Sequence, residues 1–123
     1  MTTLLADSPF VIVGQPSQTD LLAKYFRGIG NPVRLRVLEL LADGERSVGE
    51  LATLLGQPQP KISNHLACLR WCGYVATRRE HRTIYYRIAD KRVGKIIQLA
   101  RDILSDNAEH VAACARIEGE SAG

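Results

Sequence analysis

The stretch SVGELATLLGQPQPKISNHLACLRWCGYV, residues 47–75, decides the fold. It opens on Ser47 and Glu50, an S-x-x-E pattern in which side chain and backbone amide satisfy each other at a helix start. Leu51, Ala52, Leu54 and Leu55 supply an apolar face, and Gly56 stops the helix. After a tight connection of Gln57, Pro58 and Gln59, a second helix is expected over residues 60–72. Two short helices joined by a turn of about three or four residues containing glycine make a helix-turn-helix. Placed on a wheel of about 100° per residue, Ile62, Leu66 and Leu69 form the side of the second helix that faces a core. Lys61, His65, Cys68 and Cys72 form an adjoining stripe, and Gln59, Lys61, Ser63 and Asn64 crowd the N-terminal end. Trp71 falls off the core stripe, with the chain's tail or a partner subunit as its candidate contact.

Upstream, residues 20–30 read as a short amphipathic helix closed by glycine. Asn31 then caps a helix whose first position is Pro32, where a missing N–H does no harm. Leu35, Leu38, Leu41 and Ala42 make its expected buried stripe, and Gly44 ends it. Residues 1–18 hold Gly14, Pro16 and no sustained period, which suits a flexible arm. Their one apolar run, residues 10–13, is too short for a signal peptide or a membrane span. Downstream, residues 74–79 and 83–88 are β-rich runs around Glu80, His81 and Arg82, with Ile84, Tyr86 and Ile88 on one face. No glycine occupies that turn, so a loop longer than two residues is expected. Residues 91–104 are helical, with Val93, Ile96, Ile97, Ala100, Ile103 and Leu104 apolar. Asp106 and Glu109 repeat the capping-box spacing, which predicts a short further helix ending near Gly119. The organisation is thus an arm over 1–18, a mainly α domain with a β-hairpin wing over 19–105, and a tail or short helix over 106–123 carrying Cys114.

A chain of 123 residues suffices for one core. Its 46% hydrophobic and 24% charged residues are ordinary for a soluble globular protein. Three cysteines without an export signal indicate free thiols in a reducing cytoplasm rather than a disulfide framework. Net charge is only +3, yet residues 57–88 carry Lys61, Arg70, Arg78, Arg79, Arg82 and Arg87 against Glu80 alone. That third of the chain is therefore at +5 and the remainder at −2. Such a distribution suits a polyanion, although a solvated basic face has the same appearance. For double-stranded DNA the candidate contacts are Gln59, Lys61, Ser63, Asn64 and His65 at the groove-probing end, with Arg78, Arg79 and Arg82 of the hairpin along phosphates.

Cys68 and Cys72 stand one helical turn apart, so two thiolates project to the same side and can share a soft metal ion. Two ligands rarely suffice; Cys114 offers a third sulfur, and His110, four residues earlier, is an auxiliary candidate. The plain alternative makes each cysteine a small buried hydrophobe and leaves the histidines to hydrogen bonding or DNA contact. Oxidation of the thiols is a second kind of switch. An enzyme fits poorly: the spacing is C-x-x-x-C rather than the redox C-x-x-C, no βαβ unit surrounds it, and no phosphate-cradling loop or triad pattern occurs. A bare protein-interaction module is the remaining class, and it would lack salt-dependent DNA affinity.

From residue 25 to about 104 the chain resembles the ArsR/SmtB family of winged-helix repressors. The segment NPVRLRVLELLADGERSVGELATLLGQPQPKISNHLACLRWCGYV carries the resemblance, above all the pattern S-x-H-L-x-x-L-R-x-x-G, together with the wing ending YYRIAD. The resemblance implies a homodimer, built through its N- and C-terminal helices, that binds operator DNA without metal and releases it when metal binds. One family metal site, Asp-x-His…His-x-x-Glu/Asp, is matched only by Asp90, since Arg92 and Ile103 stand at the histidine positions. The Cys-x-Cys pair of other members is absent from the start of the recognition helix. Cys68, Cys72 and Cys114 look most like the ligands of the CmtR-type cadmium and lead sensors, which makes Cd(II) or Pb(II) the expected effector. Mercury, arsenite and zinc are the alternatives open to a sulfur site.

Overall fold

Ser17 starts the first helix as a capping box: its hydroxyl accepts from the Asp20 amide, and the Asp20 carboxylate accepts from the Ser17 amide. Helix α1 runs Gln18–Ile29 and α2 Pro32–Ala42, the latter capped by the Asn31 side chain, which accepts from the Arg34 amide at 3.1 Å. The short strand β1, Arg46–Ser47, leads into α3, Val48–Leu55. There the expected capping box of Ser47 and Glu50 is formed, and Gly56 ends the helix in the left-handed region at φ +62°. Helix α4 is Gln59–Trp71, the hairpin strands are β2 (Val75–Glu80) and β3 (Thr83–Ile88), and α5 is Lys91–Ala113. This computed structural model describes residues 17–114, so most of the expected arm and the tail after Cys114 lie outside the described residues. The chain divides into two units between Ala89 and Asp90.

In the first unit the core is made by Val37, Leu38 and Leu41 of α2, Leu51 and Ala52 of α3, Ile62, Leu66 and Leu69 of α4, and Tyr74 and Val75 beyond it. Each fully buried aliphatic side chain contributes about 1.5–3 kcal/mol, so the three from α4 fix that helix firmly. The α2 stripe differs from expectation: Leu35 is half-buried and Ala42 exposed, while Val37 is fully buried. The helix turns its 37, 38 and 41 positions inward, a narrower face than the four-residue stripe suggested.

The sheet order is β1-β3-β2, all antiparallel, with Arg46 opposite Tyr86 and Val75 opposite Ile88. Glu80 pairs with Thr83, so the wing closes in a two-residue turn rather than a longer loop. His81 makes this feasible without glycine by adopting φ +57°, a region that His, Asn and Asp enter more readily than other side chains. Gly73, at φ +85°, turns the chain out of α4 into the wing, where a side chain would be strained.

The second unit contains α5, which continues without a break across residues 105 and 106. The expected second helix start at Asp106 and Glu109 is therefore helix interior. The polar residues on either side of Asp106 bond backward into the helix: Ser105 Oγ donates to the Asp102 carbonyl at 2.7 Å, and Asn107 Nδ2 to the Ile103 carbonyl at 3.0 Å. No glycine or proline stands between residues 95 and 118 to interrupt the helix. Among the described residues no helix is long and apolar enough to cross a membrane.

Candidate nucleic-acid interface and thiol pair

Helix α4 separates its tasks by face and by end. Ile62, Leu66 and Leu69 are sealed in the core, while Gln59, Lys61, Ser63 and Asn64 are exposed at its N-terminal end. Pro58 caps this helix without a side-chain hydrogen bond, and Pro60 occupies its first turn. Gln59 reaches α3: its Nε2 is 3.3 Å from where a Cβ on Gly49 would stand, so the glycine leaves room for that side chain. His65, half-buried, does not simply face outward. Its Nδ1 accepts from Arg34 Nε at 3.1 Å, and Arg34 Nη1 also donates to the Gly28 carbonyl at 3.3 Å. Burial, with Arg34 and Lys61 nearby, holds His65 below the ordinary histidine range.

On the wing, Arg78, Arg79 and Arg82 are all exposed. They are not equivalent. Arg78 Nε meets the Glu45 carboxylate at 2.7 Å, its Nη1 meets Glu80 at 3.1 Å, and its guanidinium lies 4.9 Å from the Tyr85 ring centroid. Arg79 Nε donates to the carbonyl of His81 at 3.2 Å, which braces the turn. A phosphate reaching Arg78 therefore competes with two carboxylates.

The other end of α4 carries the thiols. Cys68 and Cys72 are free and half-buried, and the Cys72 amide donates to the Cys68 carbonyl at 3.0 Å, which places the side chains one turn apart. Burial pushes the Cys72 thiol up. The neighbouring Cys68, in hydrogen-bond contact with it, adds to this, while Lys24 and Arg34 pull the other way. A Cβ on Gly28 would come within 3.6 Å of Cys72 Sγ and 3.2 Å of Tyr74 Cε2, so α1 presses closely on the thiol pair. Tyr74 completes the floor: it is fully buried, stacks on Tyr25 at 4.3 Å between centroids, and donates its hydroxyl to the Tyr25 carbonyl at 2.7 Å.

In the second unit Cys114 is the C-cap of α5, half-buried, and His110 is exposed in the last turn. Among the described residues no group of three or more His, Cys, Asp and Glu side chains is placed to hold a metal ion. Within the first unit the structure brings Cys68 and Cys72 together, while Cys114 and His110 stand on the helix of the second unit. Asp90 is occupied otherwise: it caps α5 by accepting from the Arg92 amide and pairs with the Arg92 guanidinium at 2.6 Å. Trp71 is 89% exposed and packs on neither the core nor any side chain of the first unit closely enough to be covered. Residue patterning alone missed Arg34, Gly28 and Glu45.

A helix-turn-helix with a basic two-stranded wing and an exposed polar end on its second helix is the architecture of a DNA-binding transcriptional regulator. The chain belongs to the arsR family of bacterial regulatory proteins, which matches over residues 31–77. It is 41% identical to the probable mercury resistance operon repressor of Streptomyces lividans, over 82% of this chain and 81% of that protein. It is 37% identical to the HTH-type transcriptional regulator CmtR of Mycobacterium bovis, over 69% of this chain and 75% of that one. Its fold is similar to the homodimeric winged helix-turn-helix DNA-binding domain of Mb0332 from Mycobacterium bovis, with a TM-score of 0.68 and 34% identity over 80% of this chain and 95% of that chain.

Proposed function

We propose that this chain is a metal-responsive transcriptional repressor: a homodimer that binds operator DNA and releases it when a thiophilic ion engages Cys68, Cys72 and Cys114. The observation that carries this reading is the thiol pair itself, seated on the same rigid helix whose other end exposes Lys61, Ser63 and Asn64. An ion held by those sulfurs acts on the rod that probes the groove. Sulfur ligation favours Cd(II) or Pb(II), and the name of one relative, a probable mercury resistance operon repressor, agrees with a soft-metal effector. Homodimerisation is supported by exposed apolar side chains on each terminal helix, Leu22 and Phe26 on α1 and Leu99, Ile103, Leu104 and Val111 on α5. In the dimer the two α4 helices enter successive major grooves about 34 Å apart. Gln59, Lys61, Ser63, Asn64 and His65 meet bases or phosphates, and Arg78, Arg79 and Arg82 hold the backbone. Such a regulator works in the cytoplasm and catalyses no reaction.

The test is a Cd(II) titration of the dimer that follows ultraviolet sulfur-to-metal absorption and operator affinity together. Cys68→Ser is expected to abolish the absorption and the metal-induced release while metal-free DNA binding survives. If Cys68→Ser changes neither absorption nor release, the sulfur assignment is wrong.

A further inference from the structure

Arg34 belongs to the first turn of α2, three residues after the Asn31 cap, and is itself half-buried. One guanidinium nitrogen is anchored on the Gly28 carbonyl and another donates to His65 Nδ1, thirty-one residues away in sequence. A guanidinium has donors only. The imidazole nitrogen that meets it must therefore present a lone pair, and in the neutral ring the single proton then sits on Nε2. A protonated ring would set N–H against N–H at 3.1 Å, with the charge of Lys61 one turn away adding to the repulsion. Lysine in place of Arg34 would not serve, because one ammonium lacks the two divergent donors that span Gly28 and His65.

We propose that Arg34 is a positioning residue that fixes His65 as the Nε2–H tautomer, so that toward DNA His65 is a donor and recognises a hydrogen-bond acceptor of the duplex. The acceptors of that kind are purine N7, guanine O6 or thymine O4 in the major groove, or a phosphate oxygen. The proposal rests on the operator-binding reading above and adds to it the polarity of one contact and the residue that sets it.

Histidine-selective 15N NMR of the full-length protein tests the tautomer without DNA. Wild-type His65 is expected to show an unprotonated, hydrogen-bonded Nδ1 and a protonated Nε2, and Arg34→Ala to show averaging between tautomers. A proton on Nδ1 in the wild type would overturn the proposal. Binding is measured on a duplex spanning the region upstream of the protein's own gene and on a scrambled duplex of equal length. His65→Asn is expected to bind about tenfold more weakly, and His65→Gln, whose amide nitrogen reaches toward the place of Nε2, to lose less. Equal losses for the two variants would also overturn it, even if Arg34→Ala does not fold. A loss confined to the upstream duplex assigns the acceptor to a base edge, and an equal loss on both assigns it to phosphate. Failure of the wild type to bind either duplex in a salt-dependent way would instead remove the operator-binding reading, whatever the tautomer.

Discussion

Replacing Gly28 by alanine sets two opposing effects against each other. Alanine in a helix is favoured over glycine by about 0.8–1 kcal/mol, so propensity alone predicts a stabler protein. The new methyl, however, enters at 3.2 Å from Tyr74 Cε2 and 3.6 Å from Cys72 Sγ. The second distance is ordinary contact; the first requires the ring to retreat by a few tenths of an ångström. Tyr74 has nowhere to go, being fully buried, stacked on Tyr25 and held by its hydroxyl to the Tyr25 carbonyl. Overpacking a close-fitted site costs about 1–3 kcal/mol, which outweighs the propensity gain. Gly28→Ala is therefore expected to lose about 1 kcal/mol, lowering Tm by roughly 4–8 °C for a domain of this size. Circular dichroism melts of the metal-free protein at fixed concentration measure it, since any oligomer melts in a concentration-dependent way. In a Tyr74→Phe background the ring is untethered and the penalty of Gly28→Ala should shrink, a coupling that independent sites would not show. A Gly28→Ala protein that melts above the wild type would refute the reasoning.

Other outcomes follow from the same contacts. Glu45→Gln removes one of the two carboxylates that compete with phosphate for Arg78 and should tighten DNA binding at fixed salt; an unchanged affinity would mean that Arg78 does not reach the backbone. Arg92 holds the Asp90 carboxyl down at about 2. Because the folded value lies below the unfolded one, the cap stabilises α5 above about pH 4 and is lost as pH falls through 2; carboxyl 13C shifts of Asp90 followed against pH check this. The raised pKa of Cys72 predicts slower alkylation by iodoacetamide at pH 8 than for free cysteine, read by peptide mass spectrometry, and metal affinity that climbs with pH.

The helix-turn-helix was legible in the sequence because its punctuation is local. Ser47 with Glu50 and Gly56 each act within a few residues, and the structure uses them as read. The hairpin turn was misjudged because its left-handed residue is His81, which gives a far weaker signal than glycine. The end of α5 was misjudged because an acid three residues after another polar residue looks alike at a helix start and in a helix interior; the backward bonds of Ser105 and Asn107 mark the interior. At the site, the Cys68 and Cys72 pairing follows from helical spacing. The partners of His65 and Arg78 do not, since Arg34 and Glu45 lie more than thirty residues away in the chain. Long-range polar pairs depend on how helices and wing pack, which no periodicity encodes.

The central claim is a linkage between sulfur-bound metal and operator DNA, and metal affinity measured with and without bound duplex tests it most directly. Reciprocity requires the duplex to weaken Cd(II) binding by the same factor by which Cd(II) weakens DNA binding, about 5–150-fold for a coupling of ordinary size. Equal weakening in both directions, lost in Cys68→Ser and Cys72→Ser, is the predicted result. Cadmium affinity that is the same on and off DNA would contradict the account.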